Sequence, residues 1–179
     1  MGIRNYLIEG VSGAGKTTVA EELQRRGHHV VHGDRELAYL GDPETGQPLD
    51  LLDAEGVADS VRWRHERHIW DVAKVRSLVA DRRHAQSFFC GGSRNFHHFI
   101  DLFDQVFVLE VDLDTLNRRL AERPDDEFGG GGPGERALVV RLHATKEDIP
   151  RNAVSIDATA PIGRVVDEIL ARGQDAPTP

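Results

Sequence analysis

Eight residues near the start of the chain have the types and spacing of a phosphate cradle: Gly10-Val11-Ser12-Gly13-Ala14-Gly15-Lys16-Thr17. A triphosphate presents several anionic oxygens, and the glycines between Gly10 and Gly15 let backbone N–H groups turn inward to meet them. Lys16 supplies a point charge to the β- and γ-phosphates. Thr17 offers a hydroxyl to magnesium at the start of a helix whose dipole favours the same anions. The expected cofactors are therefore ATP and Mg2+, held by Gly10, Ser12, Gly13, Ala14, Gly15, Lys16, Thr17 and Thr18, with Thr17 as the metal residue.

Such a loop serves kinases, switches and motors alike, so other polar groups must decide the fate of the phosphate. Arg118, Arg119 and Arg123 precede a glycine run at Gly129 to Gly132, and Arg119 and Arg123 share one helical face. Guanidinium groups there could close on a transferring phosphoryl group, spreading its charge and excluding water, or simply balance the carboxyl end of a helix. Asp34 could take a proton from an acceptor hydroxyl, hold magnesium through water, or cap a helix beginning near Arg35. Cys90-Gly91-Gly92-Ser93-Arg94 ends another strand. Its glycines admit an acceptor to the backbone and Arg94 could grip a phosphate or carboxylate; the alternative is an ordinary turn with an exposed arginine.

These groups need elements to position them. Tyr6 to Ile8 is a short apolar run before the loop, as expected of a strand buried on both faces. Thr17 to Arg26 has helical spacing with Gly27 as its stop, and Val30-Val31 starts a second strand ending at His32-Gly33-Asp34. Strand, loop, helix and strand in so short a span make a βαβ unit. The spacing predicts one long helix over Val57 to Arg82, with Val57, Val61, His65, His68, Val72, Val75 and Val79 on a buried stripe.

Trp63, Arg67, Trp70 and Lys74 share another side of that helix. Indoles flanked by cations would suit a flat or anionic acceptor, though tryptophans more often anchor a core. His65 and His68 read as satisfied core side chains rather than metal ligands, and His28, His29, His97 and His98 have no ligand spacing.

Phe88-Phe89 and Val106 to Leu109 give the third and fourth strands. Asp112 caps a helix running to Arg123, and Pro124 to Gly134 reads as a mobile loop. Arg136 to Lys146 is helical, Val154 to Ile156 is the fifth strand, Ile162 to Ala171 the last helix, and Gly173 to Pro179 a frayed tail. The expected class is α/β, with a parallel sheet covered on both faces by helices.

The chain has 179 residues, 39% of them hydrophobic, which suits one core rather than two domains. A formal net charge of -8 argues against a nucleic-acid partner, and the single Cys90 excludes an internal disulfide or a multi-cysteine zinc site. No apolar run approaches a membrane span, so the expectation is a cytoplasmic protein acting on a small molecule.

The P-loop, the arginine-flanked loop and the Ile156-Asp157-Ala158 strand end resemble the nucleoside monophosphate kinase group, including the shikimate and gluconate kinases, from Tyr6 to Leu170. The resemblance implies one kinase domain over residues 1–172 with five parallel strands, a helical acceptor lobe at about 34–85, a short arginine-rich lid at about 119–136, and a flexible tail at 173–179. By position, Arg119 and Arg123 match the lid arginines, Arg141 the arginine after the lid, and Arg94 the acceptor-phosphate arginine. Gly91-Gly92 resembles the glycine run, and Asp34 the substrate-binding aspartate, of shikimate kinases. Lys16, Asp34, Arg119 and Arg123 are then the catalytic set, with Asp34, Arg35, Gly91, Gly92, Arg94 and Arg141 on the acceptor. Asp157 to Pro161 would lie against the adenine.

Cys90 stands where the nucleotide kinases have an acid, leaving Thr17 and Asp34 to organise magnesium. The implied activity is transfer of the ATP γ-phosphoryl group to a nucleoside, nucleotide or other hydroxylated metabolite. Phosphorylation of an antibiotic or toxic compound would use the same residues. A non-catalytic ATP-binding switch is the rival of another class, and a polynucleotide 5′-kinase is disfavoured by the charge.

Overall fold

The structure is a computed structural model that describes residues 3–125 and 127–175. The apolar run before the P-loop is strand β1 (Arg4–Glu9), followed by α1 (Lys16–Arg25) and β2 (His29–His32). Gly27 takes a φ of 87°, a conformation that costs glycine little, and so ends α1 and turns the chain back. After an excursion described below come β5 (Gln86–Cys90), β6 (Gln105–Glu110), α5 (Leu113–Ala121), α6 (Pro133–Thr145), β7 (Val154–Asp157) and α7 (Ile162–Asp175). Asp112 caps α5 as its position suggests, accepting from Thr115 N–H at 2.7 Å.

Five strands form one parallel sheet in the order β2-β5-β1-β6-β7. Alternate residues of each strand feed opposite faces. Tyr6, Ile8, Phe88 and Phe107 pack with α1, α5 and α7 on one face, while Leu7, Val31 and Phe89 pack with Trp70 and Phe99 on the other. The register aligns Ile8 with Cys90 and His32 with Cys90. The P-loop, the Asp34 turn and the Gly91-Gly92 loop therefore leave the same carboxyl edge, where ligands of open α/β sheets bind.

Between β2 and β5 the chain corrects the expectation of one helix over Val57 to Arg82. It runs as α2 (Gly33–Glu36), β3 (Ala38–Leu40), α3 (Ser60–Glu66), β4 (His68–Trp70) and α4 (Val72–Val79). Two local signals outweigh the three-and-four repeat. Ile69 and Trp70 pair antiparallel with Tyr39 and Ala38, and Asp71 caps a new helix by accepting from Lys74 N–H at 3.0 Å. Trp70 is fully buried and stacks on Phe99 at 5.6 Å, while Val57 stays exposed, so the proposed apolar stripe does not form.

The second strand likewise ends at His32, and Gly33-Asp34 begins a helical turn. Among the described residues of the expected loop from Pro124 to Gly134, 127–131 form bends and turns with Gly129 and Gly130 buried, and α6 begins already at Pro133. At the other end α7 continues through Gly173, whose carbonyl accepts from Tyr6 Oη at 2.8 Å. The frayed tail is thus corrected as far as Asp175, and its remainder lies outside the described residues.

Candidate active site

The loops of the sheet's carboxyl edge enclose a cleft of ≈ 1160 Å³. Its floor is the P-loop, where Gly13 (φ 85°) and Gly15 (φ 108°) adopt left-handed backbone. A β-carbon on Gly13 would press on Leu116 and Leu120, so the loop can lie directly on α5 only as glycine. Gly10, Ser12, Gly13, Ala14, Gly15, Lys16, Thr17 and Thr18 all line the cleft, with Thr17 and Thr18 exposed at the helix N-terminus. Lys16 Nζ donates to Gly10 O at 2.5 Å and to Val11 O at 3.1 Å. Burial lowers its pKa, against the opposing pull of the Asp34 and Glu9 carboxylates. This cradle fits a nucleotide phosphate, with Thr17 as the hydroxyl available to magnesium.

Arg119 and Arg123 reach the same space from α5 and the turn beyond it. Arg119 donates to Ala14 O at 2.9 Å and to Ala158 O at 2.8 Å, bridging the P-loop to the loop after β7. Arg123 pairs with Glu127 at 3.1 Å. The glycine segment is folded onto the cleft: Ser12 Oγ donates to Phe128 O at 2.7 Å, and the Phe128 ring stacks on His65 at 5.4 Å. Gly129 and Gly131 N–H groups donate to Glu135 at 2.9 and 3.2 Å, which holds the turn. Ala158, Ala160, Ile162 and Val165 make an apolar wall beside it.

The opposite end carries Asp34. Its Oδ1 accepts from His68 Nε2 and from Gly92 N–H, each at 3.2 Å. Burial alone would raise its pKa, but the His68 hydrogen bond, the Lys16 charge and the Gly92 N–H together hold it below the usual carboxylate value. The helix-cap alternative is not what the side chain does, since His32 is the N-cap of α2 and no side chain caps it. Gly91 is buried beneath this group, and a β-carbon there would fall 2.8 Å from Asp34 Oδ1. Arg35 and Gly92 line the cleft beside Asp34.

Arg94 also lines the cleft but is anchored, not loose: its guanidinium donates to Asp148 O at 2.5 Å and pairs with Asp148 Oδ2 at 2.9 Å. His65 Nε2 meets the same Asp148 Oδ2 at 3.1 Å. Burial would raise the Asp148 pKa, and the His65 hydrogen bond and Arg94 charge overcome it and lower it.

Two expectations about acceptor residues are corrected. Arg141 is exposed on α6 and pairs with Glu147 at 3.0 Å outside the cleft, because Val139 and Leu142 take the buried face of that helix. The Trp63, Arg67, Trp70 and Lys74 face does not exist: Arg67 lies 4.6 Å over Trp63, Trp70 is core, and Lys74 donates to Glu36 O at 2.5 Å. His65 and His68, expected in the core, instead line the cleft. His97 and His98, which have no ligand spacing in sequence, come together with Glu44 on the surface, their ligand atoms within 4.8 Å of one another.

Sequence reasoning missed Glu9, His68 and Asp148. Glu9 is fully buried at the end of β1 and accepts from Ser93 N–H at 3.2 Å. An acid closing an otherwise apolar strand was its one visible signal. Asp148 stands 54 residues from the arginine it anchors, and nothing local marks it.

The AAA_18 family model, described as an AAA domain, matches residues 7–131, from β1 through the glycine turn. This chain belongs to the AAA_18 family. The AAA_18 chain is similar in fold to the shikimate kinase from Acinetobacter baumannii in complex with shikimate, with a TM-score of 0.61, 18% identity, and coverage of 97% of this chain and 94% of that one. It is similar also to a gluconokinase from Sinorhizobium meliloti 1021, with a TM-score of 0.54, 20% identity, and coverage of 97% and 92%. These likenesses establish the P-loop kinase-like fold of this AAA_18 protein. A shorter match, 46% identical over 48 residues, joins it to the HPr kinase/phosphorylase of Streptococcus salivarius, covering 26% of this chain and 16% of that protein's length. Among the described residues, no helix is long and apolar enough to cross a membrane.

Proposed function

We propose that this protein is an ATP-dependent phosphotransferase that moves the γ-phosphoryl group to a hydroxyl of a small acceptor. The observation that carries the reading is the sharing of one cleft by the P-loop with Arg119 and Arg123 at one end and the ionised Asp34 at the other. A nucleotide switch needs the first group only. The names of the fold neighbours, shikimate kinase and gluconokinase, agree with a hydroxylated acceptor.

In this reading the adenine rests by Ala158 and Ala160, and the phosphates lie along Gly13 to Thr18. Asp34 accepts the acceptor's hydroxyl proton as its oxygen bonds to the γ-phosphorus. The bond from that phosphorus to the β,γ-bridging oxygen breaks, and ADP leaves with the electron pair. Lys16, Arg119 and Arg123 stabilise the charge spread over the transferring group, and the Phe128 turn excludes water. Magnesium, when bound at Thr17, would neutralise charge on the β- and γ-phosphates. Arg35 and Arg94 favour an acceptor carrying an anionic group. The domain limits, acceptor lobe and lid implied by the resemblance belong to this same proposal, as does action in the cytoplasm.

Incubation with labelled ATP and pooled small alcohols, sugars and nucleosides tests it. ADP release that depends on an acceptor, with label recovered on that acceptor, is the expected result. ADP release that no acceptor stimulates would favour the switch.

A further inference from the structure

Glu9 has no place in the chemistry so far, yet it is the charged residue most deeply committed to the site. It ends β1 directly before Gly10 and is 0% exposed. A carboxyl loses its hydration on burial and is seldom buried without partners. Glu9 has one on each of two loops: Oε1 accepts from Ser93 N–H at 3.2 Å, and Oε2 from Gly10 N–H at 3.3 Å. The first belongs to the segment that carries Arg94, the second opens the P-loop. Lys16 from α1 and Arg94 from the loop after β5 are the charges that act on it. A β-carbon on Gly92 would touch both Arg94 Nη2, at 3.1 Å, and Glu9 Oε2, at 3.4 Å, so both groups approach the space that a side chain at this position would fill. The β1–β5 register pairs Ile8 with Cys90. The acid missing at the buried Cys90 thus has a counterpart at the end of the neighbouring strand.

We propose that Glu9 is a positioning residue for phosphoryl transfer, a buried acid that locks the acceptor loop to the phosphate loop and balances Lys16 and Arg94 until nucleotide phosphates take over that balance. The proposal rests on the phosphotransferase reading. A triphosphate brought to Lys16 competes with Glu9 for the same cation and repels its anion. Glu9 then takes a proton from solvent, and releases it when the nucleotide leaves. Burial already pushes its pKa up to about 7, against the Lys16 and Arg94 charges, so the change falls at neutral pH. Because the bound state then holds more protons, nucleotide affinity rises as pH falls through this region.

Glu9→Gln keeps an oxygen to accept from Ser93 N–H but removes the charge. Calorimetric titration with ADP and magnesium at pH 7.5, above the phosphate's own pKa of about 6, in two buffers of different ionisation enthalpy, counts the protons taken up. The wild type is expected to take up roughly half a proton more than Glu9→Gln. His65 and His68 also line the cleft, so the difference between the proteins is the readout. With an acceptor, kcat of Glu9→Gln should fall about tenfold while KM for ATP stays within about threefold, because the amide NH2 cannot accept from Gly10 N–H as either oxygen of the carboxyl can, charged or protonated, and so opens the tie to the P-loop. Equal proton uptake together with unchanged kcat would overturn the proposal. If Glu9→Gln fails to fold, Glu9→Asp keeps the charge with a shorter reach: retained proton uptake with lowered kcat supports the assignment, and wild-type kcat overturns it. Failure of the phosphotransferase reading would look different, because the wild type itself would show no acceptor-dependent ADP.

Discussion

Asp34 Oδ1 lies 3.2 Å from His68 Nε2, although 34 residues separate them, because β4 returns along β3 and delivers His68 to the mouth of the cleft. A carboxylate so held is ready to accept a proton from an acceptor hydroxyl. Asp34→Asn should lower kcat by about 100-fold or more, the scale of general-base catalysis. ADP affinity should stay within about twofold of wild type, since the P-loop keeps its contacts. Parallel turnover and binding measurements check this, and unchanged turnover rules out the base assignment.

The same pair sets a pH dependence. Burial pushes the Asp34 pKa up, and His68, Lys16 and Gly92 N–H more than reverse it. A base works in its ionised form, so activity should persist as pH falls until the lowered pKa is reached. His68→Ala removes the strongest opposing contribution and leaves burial less opposed. The acid limb of the pH–kcat profile should move to higher pH, and a limb that stays in place would mean that His68 does not support the carboxylate.

The β-α alternation, the P-loop and the α5 cap could be read directly from residue order, because each depends on neighbours within one turn or strand. The acceptor side could not. Trp70 and Ile69 fit a helical repeat as well as a strand, and only their pairing with Ala38 and Tyr39 decides between them. Site residues on the P-loop were legible for the same local reason. His68, Asp148 and Glu9 acquire their roles from contacts across 34, 54 and 84 residues. Arg141 shows the opposite error, a residue matched by position whose helix face turns it to solvent.

Gly33 precedes Asp34, and a β-carbon on it would fall inside the Trp70 indole. The ring is buried and stacked on Phe99, so it has nowhere to go. Gly33→Ala should therefore cost about 3 kcal/mol, the upper part of the range for overpacking, and lower the melting temperature by about 6–12 °C. Thermal unfolding measures it. An unchanged melting temperature would mean that Trp70 is not locked beneath the Asp34 turn.

Arg94 and Asp148 are a nearly buried pair, with side chains 11% and 8% exposed. Removing Arg94 leaves the nearly buried Asp148 carboxylate with the His65 contact but without its arginine counter-charge. Arg94→Ala should destabilise the fold by about 3 kcal/mol, the lower end of the range for breaking a buried pair, because His65 still meets Asp148. The Asp148 pKa is depressed in the folded state, so its stabilising contribution is present above the unfolded carboxylate pKa and fades as pH falls through the folded one. The gap in denaturant stability between Arg94→Ala and wild type should therefore narrow toward low pH. A gap that does not vary with pH would assign the loss to packing rather than charge.

Ser12 donates to Phe128 O at 2.7 Å and so ties the glycine turn to the phosphate loop. If that turn keeps water from the γ-phosphate, weakening the tie should let water compete with the acceptor. Ser12→Ala removes one hydrogen bond, worth about 1 kcal/mol, or about fivefold in the closed population. ATP hydrolysis without acceptor should rise by up to that factor, and the ratio of transfer to hydrolysis should fall correspondingly. Comparing phosphate release with acceptor phosphorylation on one sample measures both. A Ser12→Ala protein with the wild-type ratio would show that the Phe128 turn covers the cleft without help from Ser12, through its stacking on His65 and its Glu135 hydrogen bonds.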